Sequence, residues 1–244
     1  MAEKKMIPGG TPEMAGTPGA ERGARGMHVL PADIEKTSMD IIAYELAARG
    51  ISLLPETEAV VKRVIHATAD FDYAENLVFL GEGVKAGVDA CACATPIVTD
   101  TNMTLSGVSR PAMHRLGVAA HCFMAEPEIA RMAAEMRTTR AVASQIYAAK
   151  HYPGAILSVG NAPTALFEIA AQIRRGLRPA LVIGVPVGFV NVTESKEEIR
   201  RVCEEYSVPA IVARGRKGGS TVACAILNAL LYEAAGLIDP ASRS

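Results

Sequence analysis

Four short stretches of the chain combine residue types at spacings that could do chemistry. Arg63 and His66 are three positions apart, so on a helix they project from one face, with Lys62 and Asp70 close by. Imidazole is the side chain best suited to exchange protons near neutral pH, which makes His66 a candidate general acid or base. A histidine on such a face is in most proteins an exposed, inert residue, so residue type alone leaves both readings open. The second stretch is Gly160–Thr164 (GNAPT), which follows an apolar run and opens a helical pattern. Asn161 can cap that helix and the amides of the first turn can hold an anion, or the segment is a helix start and nothing more. The third, Gly184–Val190 (GVPVGFV), is a Gly/Pro loop that lets backbone approach a flat ligand and equally suits a plain turn. The fourth, Arg214–Ser220 (RGRKGGS), sets Arg214, Arg216 and Lys217 beside glycines at a helix start, a combination suited to a carboxylate or phosphate. It does not satisfy the GxxxxGK[ST] pattern of a nucleotide-binding P-loop. His28, His114, His121 and His151 show no metal-ligand spacing, and neither a metal nor a cofactor is expected.

These stretches need elements to position them. Asp33–Arg49 reads as a helix with Ile34, Met39, Ile42 and Leu46 among its apolar positions. Pro55–Asp70 reads as a second, with Val60, Val61, Val64 and Ile65 as the buried stripe and His66 off it. Short apolar strand candidates follow at 77–80, 96–99, 118–123, 155–159, 180–185 and 209–213. Helical stretches at 82–92, 126–149, 162–175, 195–206 and 220–236 separate most of them. This alternation predicts a single doubly wound, mostly parallel open sheet with helices on both faces, because parallel crossovers need a covering helix. In such a sheet the ligand crevice lies outside the carboxyl ends of the strands, where the last three stretches fall. Residues 1–26, with six Gly and three Pro, lack the apolar surface to offset ordering and are expected to form a flexible tail. The rest, 27–244, is expected to be one α/β domain.

Composition narrows the function classes. Half of the 244 residues are hydrophobic, 21% are charged, and the net charge is -1. Nucleic-acid and membrane-surface partners usually require a basic excess, so neither is expected, and an anionic ligand must be met by locally placed cations. The apolar run from Thr221 to Ile238 carries Asn228 and Glu233, which fits a buried helix better than a membrane span. Cys91, Cys93, Cys122, Cys203 and Cys224 are odd in number and include no CxxC pair. They read as reduced core thiols of a cytoplasmic protein.

Taken together, the motifs resemble a known family. Ile34–Ser38 (IEKTS), Arg63–His66 (RVIH), Thr95–Asp100 (TPIVTD) with Gly107-Val108, Thr139-Arg140, Gly160–Ala165 (GNAPTA), Gly184–Val190 with Glu194–Lys196 (ESK), and Arg214–Ser220 follow in order. This set is similar to the precorrin-8X methylmutases, also called precorrin isomerases, over roughly residues 30–237. The resemblance implies that a methyl group migrates from carbon 11 to carbon 12 of ring C of precorrin-8X or cobalt-precorrin-8, giving hydrogenobyrinate or its cobalt counterpart. It implies a flavodoxin-type open sheet and a homodimer. It makes His66 the proton-handling residue and places Ser38, Arg63 and Arg140 against the substrate. Thr139, Asn161 and Arg216 join them as substrate-binding candidates. A tetrapyrrole with many peripheral carboxylates around an apolar ring needs distributed arginines and helix starts at its rim, which these stretches supply. Two other readings stay open on sequence: a corrinoid or tetrapyrrole carrier without chemistry, and, from fold alone, a nucleotide binder.

Deletion of residues 1–26 is expected to leave thermal stability and activity nearly unchanged, because the segment has no apolar pattern with which to dock. A large drop in melting temperature on truncation would show that it packs on the body or across a dimer.

Overall fold

Proline rings at positions that need no N–H donor open the first two helices of the computed structural model, which describes residues 30–243. The expected tail, 1–26, lies outside the described residues. Helix α1 (Pro31–Ala48) leads through Ile51–Leu54 into α2 (Pro55–Thr68), where Val60, Val61, Val64 and Ile65 are all buried, as their spacing requires. A short α3 (Tyr73–Asn76) delivers the chain to β1 (Leu77–Leu80), followed by α4 (Gly83–Ala92) and β2 (Ile97–Thr99). Then come α5 (Asn102–Gly107), α6 (Arg110–Leu116), β3 (Ala120–His121), α7 (Pro127–Glu135) and α8 (Arg140–His151). The remainder alternates regularly: β4 (Ile156–Val159), α9 (Pro163–Arg174), β5 (Leu181–Gly184), α10 (Val192–Glu205), β6 (Ala210–Ala213) and α11 (Ser220–Ala234).

The sheet is mixed and mostly parallel, in spatial order β1-β6-β5-β4-β2-β3. Strands β2 to β6 pair parallel, and β1 pairs antiparallel to β6 with Leu77 opposite Ala213. Side chains alternate between two cores, as the two-residue period of a strand demands. Ile97, Ile156, Ile183 and Ile211 share one core with residues of α1, α2, α4 and α11, while Val98, Leu157, Val182 and Val212 share the other with α8, α9 and α10. Both faces are therefore covered by helices, the arrangement that a nearly all-parallel sheet needs.

Several expectations change in detail. The helical stretch 126–149 is two helices, because Arg137 takes a left-handed conformation (φ 53°) and the Thr139 hydroxyl caps a fresh start by accepting from Val142 N–H at 3.2 Å. The stretch 101–116 holds two short helices, each begun by a hydroxyl cap, Thr101 and Ser109. The strand expected over 118–123 shrinks to Ala120–His121 at the sheet edge. Cys91 and Cys203 are core thiols, with burial pushing each up to about 12, whereas Cys93 is exposed. Among the described residues no helix is long and apolar enough to cross a membrane.

Candidate active site

The carboxyl ends of β2, β4, β5 and β6 come together on one edge of the sheet, and one carboxylate organises them. Asp100 follows β2, is 2% exposed, and accepts the amides of Gly160, Asn161 and Ala162, each at 2.8 Å. Burial pushes the Asp100 carboxyl up while the three amides pull it the other way, as expected for an acid held dry among backbone donors. Asn161 is thus not the cap expected of it. Ala162 occupies that position without a side-chain bond, and the acceptor comes from the neighbouring strand instead. This leaves the Asn161 side chain exposed and, among the described residues, without a hydrogen bond. Gly160 must be glycine, since a Cβ there would sit 2.9 Å from the Ser220 Cα. The same packing lets the Thr101 and Ser220 hydroxyls meet at 2.8 Å, joining the start of α5 to that of α11.

The loops after β5 and β6 interlock. Gly219 N–H donates to Val185 C=O at 2.8 Å, and Gly188 N–H to Arg216 C=O at 3.3 Å. A Cβ on Gly218 would lie 2.2 Å from the Val185 oxygen, so the two backbones can approach this closely only with glycine there. Beneath them Lys196 is buried, 1% exposed, and its ammonium donates to Gly215 C=O at 2.9 Å and Lys217 C=O at 2.7 Å. Burial pushes Lys196 down to about 8. Lys217 reaches the other way, bonding Asp70 at 2.7 Å and Asp72 at 2.5 Å, and its ammonium holds the Asp70 carboxyl below the usual range. That pair ties the loop to the end of α2, where Ala69 adopts a left-handed conformation just past the helix.

The candidates from sequence fall into two groups. Thr139, Arg140, Asn161 and Arg216 are exposed at the carboxyl edge. The Thr139 and Thr164 hydroxyls meet at 3.2 Å, joining the starts of α8 and α9, and the Arg216 guanidinium lies 5.6 Å from the Phe189 ring centroid. His66 is exposed in the last turn of α2, one turn before the Asp70–Lys217 tie. Ser38, half-buried on α1, and Arg63 on α2 form the second group. Arg63 does not project freely beside His66 as its spacing suggested. It pairs with Glu35 at 2.6 Å and lies 5.1 Å from the Tyr232 ring centroid. Arg243 also bonds Glu35, at 2.7 and 2.8 Å, and the two guanidiniums outweigh burial to hold that carboxyl low. Sequence reasoning missed Asp100 and Lys196 as organisers, although both lie inside motifs that it quoted. A cavity of about 630 Å³ lies elsewhere, lined by Leu54 and Thr57 of the α2 start, Leu77 and Phe79 of β1, and Gly83 and Val84 of α4. Val61 of α2 and Ala74 of α3 also line this cavity, and His66 is not among its lining residues.

The model of the precorrin-8X methylmutase family matches residues 33–233. The chain belongs to this family. It is 42% identical over 209 residues to the cobalt-precorrin-8 methylmutase of Leptospira interrogans serogroup Icterohaemorrhagiae serovar Lai (strain 56601), covering 83% of this chain and 93% of that one. It is 36% identical over 204 residues to the precorrin-8X methylmutase of Pseudomonas aeruginosa, covering 82% and 94%. Among solved structures, the precorrin-8x methyl mutase from Thermus thermophilus aligns with a TM-score of 0.74 at 39% identity, covering 83% of this chain and 98% of that one. The stretch matched to the family contains His66 and all four loop junctions.

Lys196 gives this edge a pH signature. An unfolded lysine titrates near 10.4, so between pH about 8 and about 10.4 the unfolded chain holds a proton that the folded chain has released. Stability linked to Lys196 therefore rises with pH across that window. The melting temperature of the wild type minus that of Lys196→Met is expected to grow from pH 7 to pH 10, while a difference independent of pH would contradict the burial of a titrating amine here.

Proposed function

We propose that this chain is the isomerase that moves the ring-C methyl of precorrin-8X or cobalt-precorrin-8 from carbon 11 to carbon 12, giving hydrogenobyrinate or cobyrinate. The observation that carries the reading is the family match over 33–233, which takes in His66 together with the carboxyl-edge loops. The parallel strands run in the order β3-β2-β4-β5-β6, so the winding reverses between β2 and β4. This supports a flavodoxin-type use of the fold, with the substrate outside the strand ends near that reversal. Asp100 and Asn161 lie beside it, just after the ends of β2 and β4.

In this reading His66 exchanges a proton with the bound macrocycle. Protonation of a ring atom withdraws electrons from the migrating centre and eases the shift, work that one general acid can do. The exposure of His66 fits contact with a large substrate rather than a core role. Arg140 and Arg216, exposed and without a carboxylate partner within hydrogen-bond distance among the described residues, receive peripheral carboxylates, and Thr139 and Asn161 add hydrogen bonds. Ser38 and Arg63 serve the substrate from the α1–α2 side, Arg63 by exchanging Glu35 for a substrate carboxylate. The protein acts in the cytoplasm as a homodimer, with the 1–26 tail dispensable and neither metal nor cofactor required.

The decisive assay mixes purified protein with precorrin-8, with and without cobalt, and follows the absorption spectrum. Conversion is expected, and its absence in both forms would overturn the reading. His66→Ala is expected to stay folded and lose about a hundredfold or more in rate. Near-normal turnover by that variant would remove His66 from the chemistry, and retained binding with no turnover even in the wild type would favour a carrier. Arg140→Met is expected to weaken binding of the corrin product by roughly tenfold to over a hundredfold, the cost of a lost charge-assisted pair. Arg140→Lys restores this only in part, because an ammonium lacks the planar fork. Unchanged affinity in titrations of Arg140→Met would take it out of the site.

A further inference from the structure

Three apolar side chains within four residues stand in solvent on the loop after β5. Val187 is 49% exposed, Phe189 84% and Val190 77%. Single exposed apolar residues are ordinary on a protein surface, but a cluster that includes a nearly bare aromatic ring, rimmed by charge, marks a surface that is covered in function. This loop is not free to fold its side chains inward. Gly188 N–H is bonded to Arg216 C=O, Gly219 N–H to Val185 C=O, and the Gly218 backbone is packed against the Val185 oxygen. Lys196 pins the opposing loop from below through the Gly215 and Lys217 carbonyls. Beyond the cluster, Val192 and Ser195 are buried as α10 begins, so the chain is anchored on both sides of it.

Cations stand on the loop that interlocks with the cluster. Arg214 and Arg216 are exposed on the interlocked loop, and Arg216 lies over the Phe189 ring at 5.6 Å. Because the ring remains 84% exposed, most of its surface is still open with this cation at its border. Among the described residues the amides of Gly215, Arg216, Lys217 and Gly218 find no acceptor, adding donors along the same rim. An apolar platform edged by cations and free amides matches a ligand with a flat apolar centre and anionic groups at its periphery.

The geometry points to Val187, Phe189 and Val190 as the platform on which the apolar face of the tetrapyrrole rests, with its carboxylates turned to Arg214 and Arg216. This rests on the methylmutase reading above and adds to it a specificity-determining surface: a small polycarboxylate without a macrocycle would engage the arginines and miss the platform. A second copy of the chain is the competing occupant. It is disfavoured because arginines from two equivalent patches would face each other across a two-fold contact.

The chain contains no tryptophan, so Phe189→Trp places a single fluorescent reporter on the platform while keeping an aromatic ring there. In the full-length protein, saturating corrin product is expected to shield that reporter from acrylamide quenching, and citrate, as a polycarboxylate without a ring, is expected to leave it unshielded. Phe189→Ala is expected to weaken product binding by about tenfold to thirtyfold with an unchanged melting temperature, since the ring packs on little within the chain. Wild-type conversion of precorrin-8 is measured alongside. If the wild type converts substrate while product fails to shield the reporter, or Phe189→Ala binds normally, the platform is overturned and the methylmutase reading stands. If the wild type neither binds nor converts, both fall. Shielding that grows with protein concentration in the absence of product, with a matching change in sedimentation, would assign the surface to a second copy and overturn the inference.

Discussion

A single buried carboxylate holds the carboxyl edge of the sheet in register. Asp100 sits at the end of β2 and takes three consecutive amides from the turn after β4, so two adjacent parallel strands end in one shared structure rather than two independent loops. Each of these is a hydrogen bond to a carboxyl oxygen in a dry setting, and a buried donor left without its acceptor costs about 1–3 kcal/mol. Removing the acceptor would leave three donors to find water in a place packed against Ser220. The start of α9, the start of α11 and the reach of Asn161 all follow from where this carboxylate lies.

From Asp100 the order spreads along the edge by close backbone approach. Gly160 lies against Ser220, Gly218 against Val185, and Lys196 fastens the last loop from inside. Lys217 then ties that loop to the end of α2, which carries His66. The end of α2 that carries His66 is thereby linked to the loops after β5 and β6 through one ion pair and one helical turn. A site for a large, flat, polyanionic ligand benefits from such linkage, because a preorganised rim spends less binding energy on ordering itself. The Glu35–Arg63–Arg243 cluster does comparable work between α1 and α2, holding Arg63 at that contact.

Much of this was legible in the residues. The buried stripe of α2, the apolar strands and the glycine-rich junctions announce themselves through local periodicity and turn chemistry, and they place the loops at strand ends without any tertiary information. Asp100 is different: its partners lie about sixty positions later, and nothing local to a Thr-Asp pair at a strand end says that three distant amides will converge on it. Lys196 reads as one more charge on an amphipathic helix until the loop closes over it. Arg63 shows the same limit from the other side. Helical spacing sets it beside His66, but a long side chain goes where its counter-ion is, and Glu35 on α1 takes it. Strand direction was also hidden, since the apolar run Leu77–Leu80 reads equally well either way and only the path through α3 makes it antiparallel.

The central claim is that the macrocycle binds across the carboxyl edge organised by Asp100, within reach of His66, and the most direct measurement is a crystal structure of the protein with the corrin product bound. The account predicts density for the macrocycle over the Gly160–Ala162 turn and the loops after β5 and β6, with the His66 imidazole facing the ring. Product lodged instead in the cavity between the α2 start, β1 and α4 would contradict it.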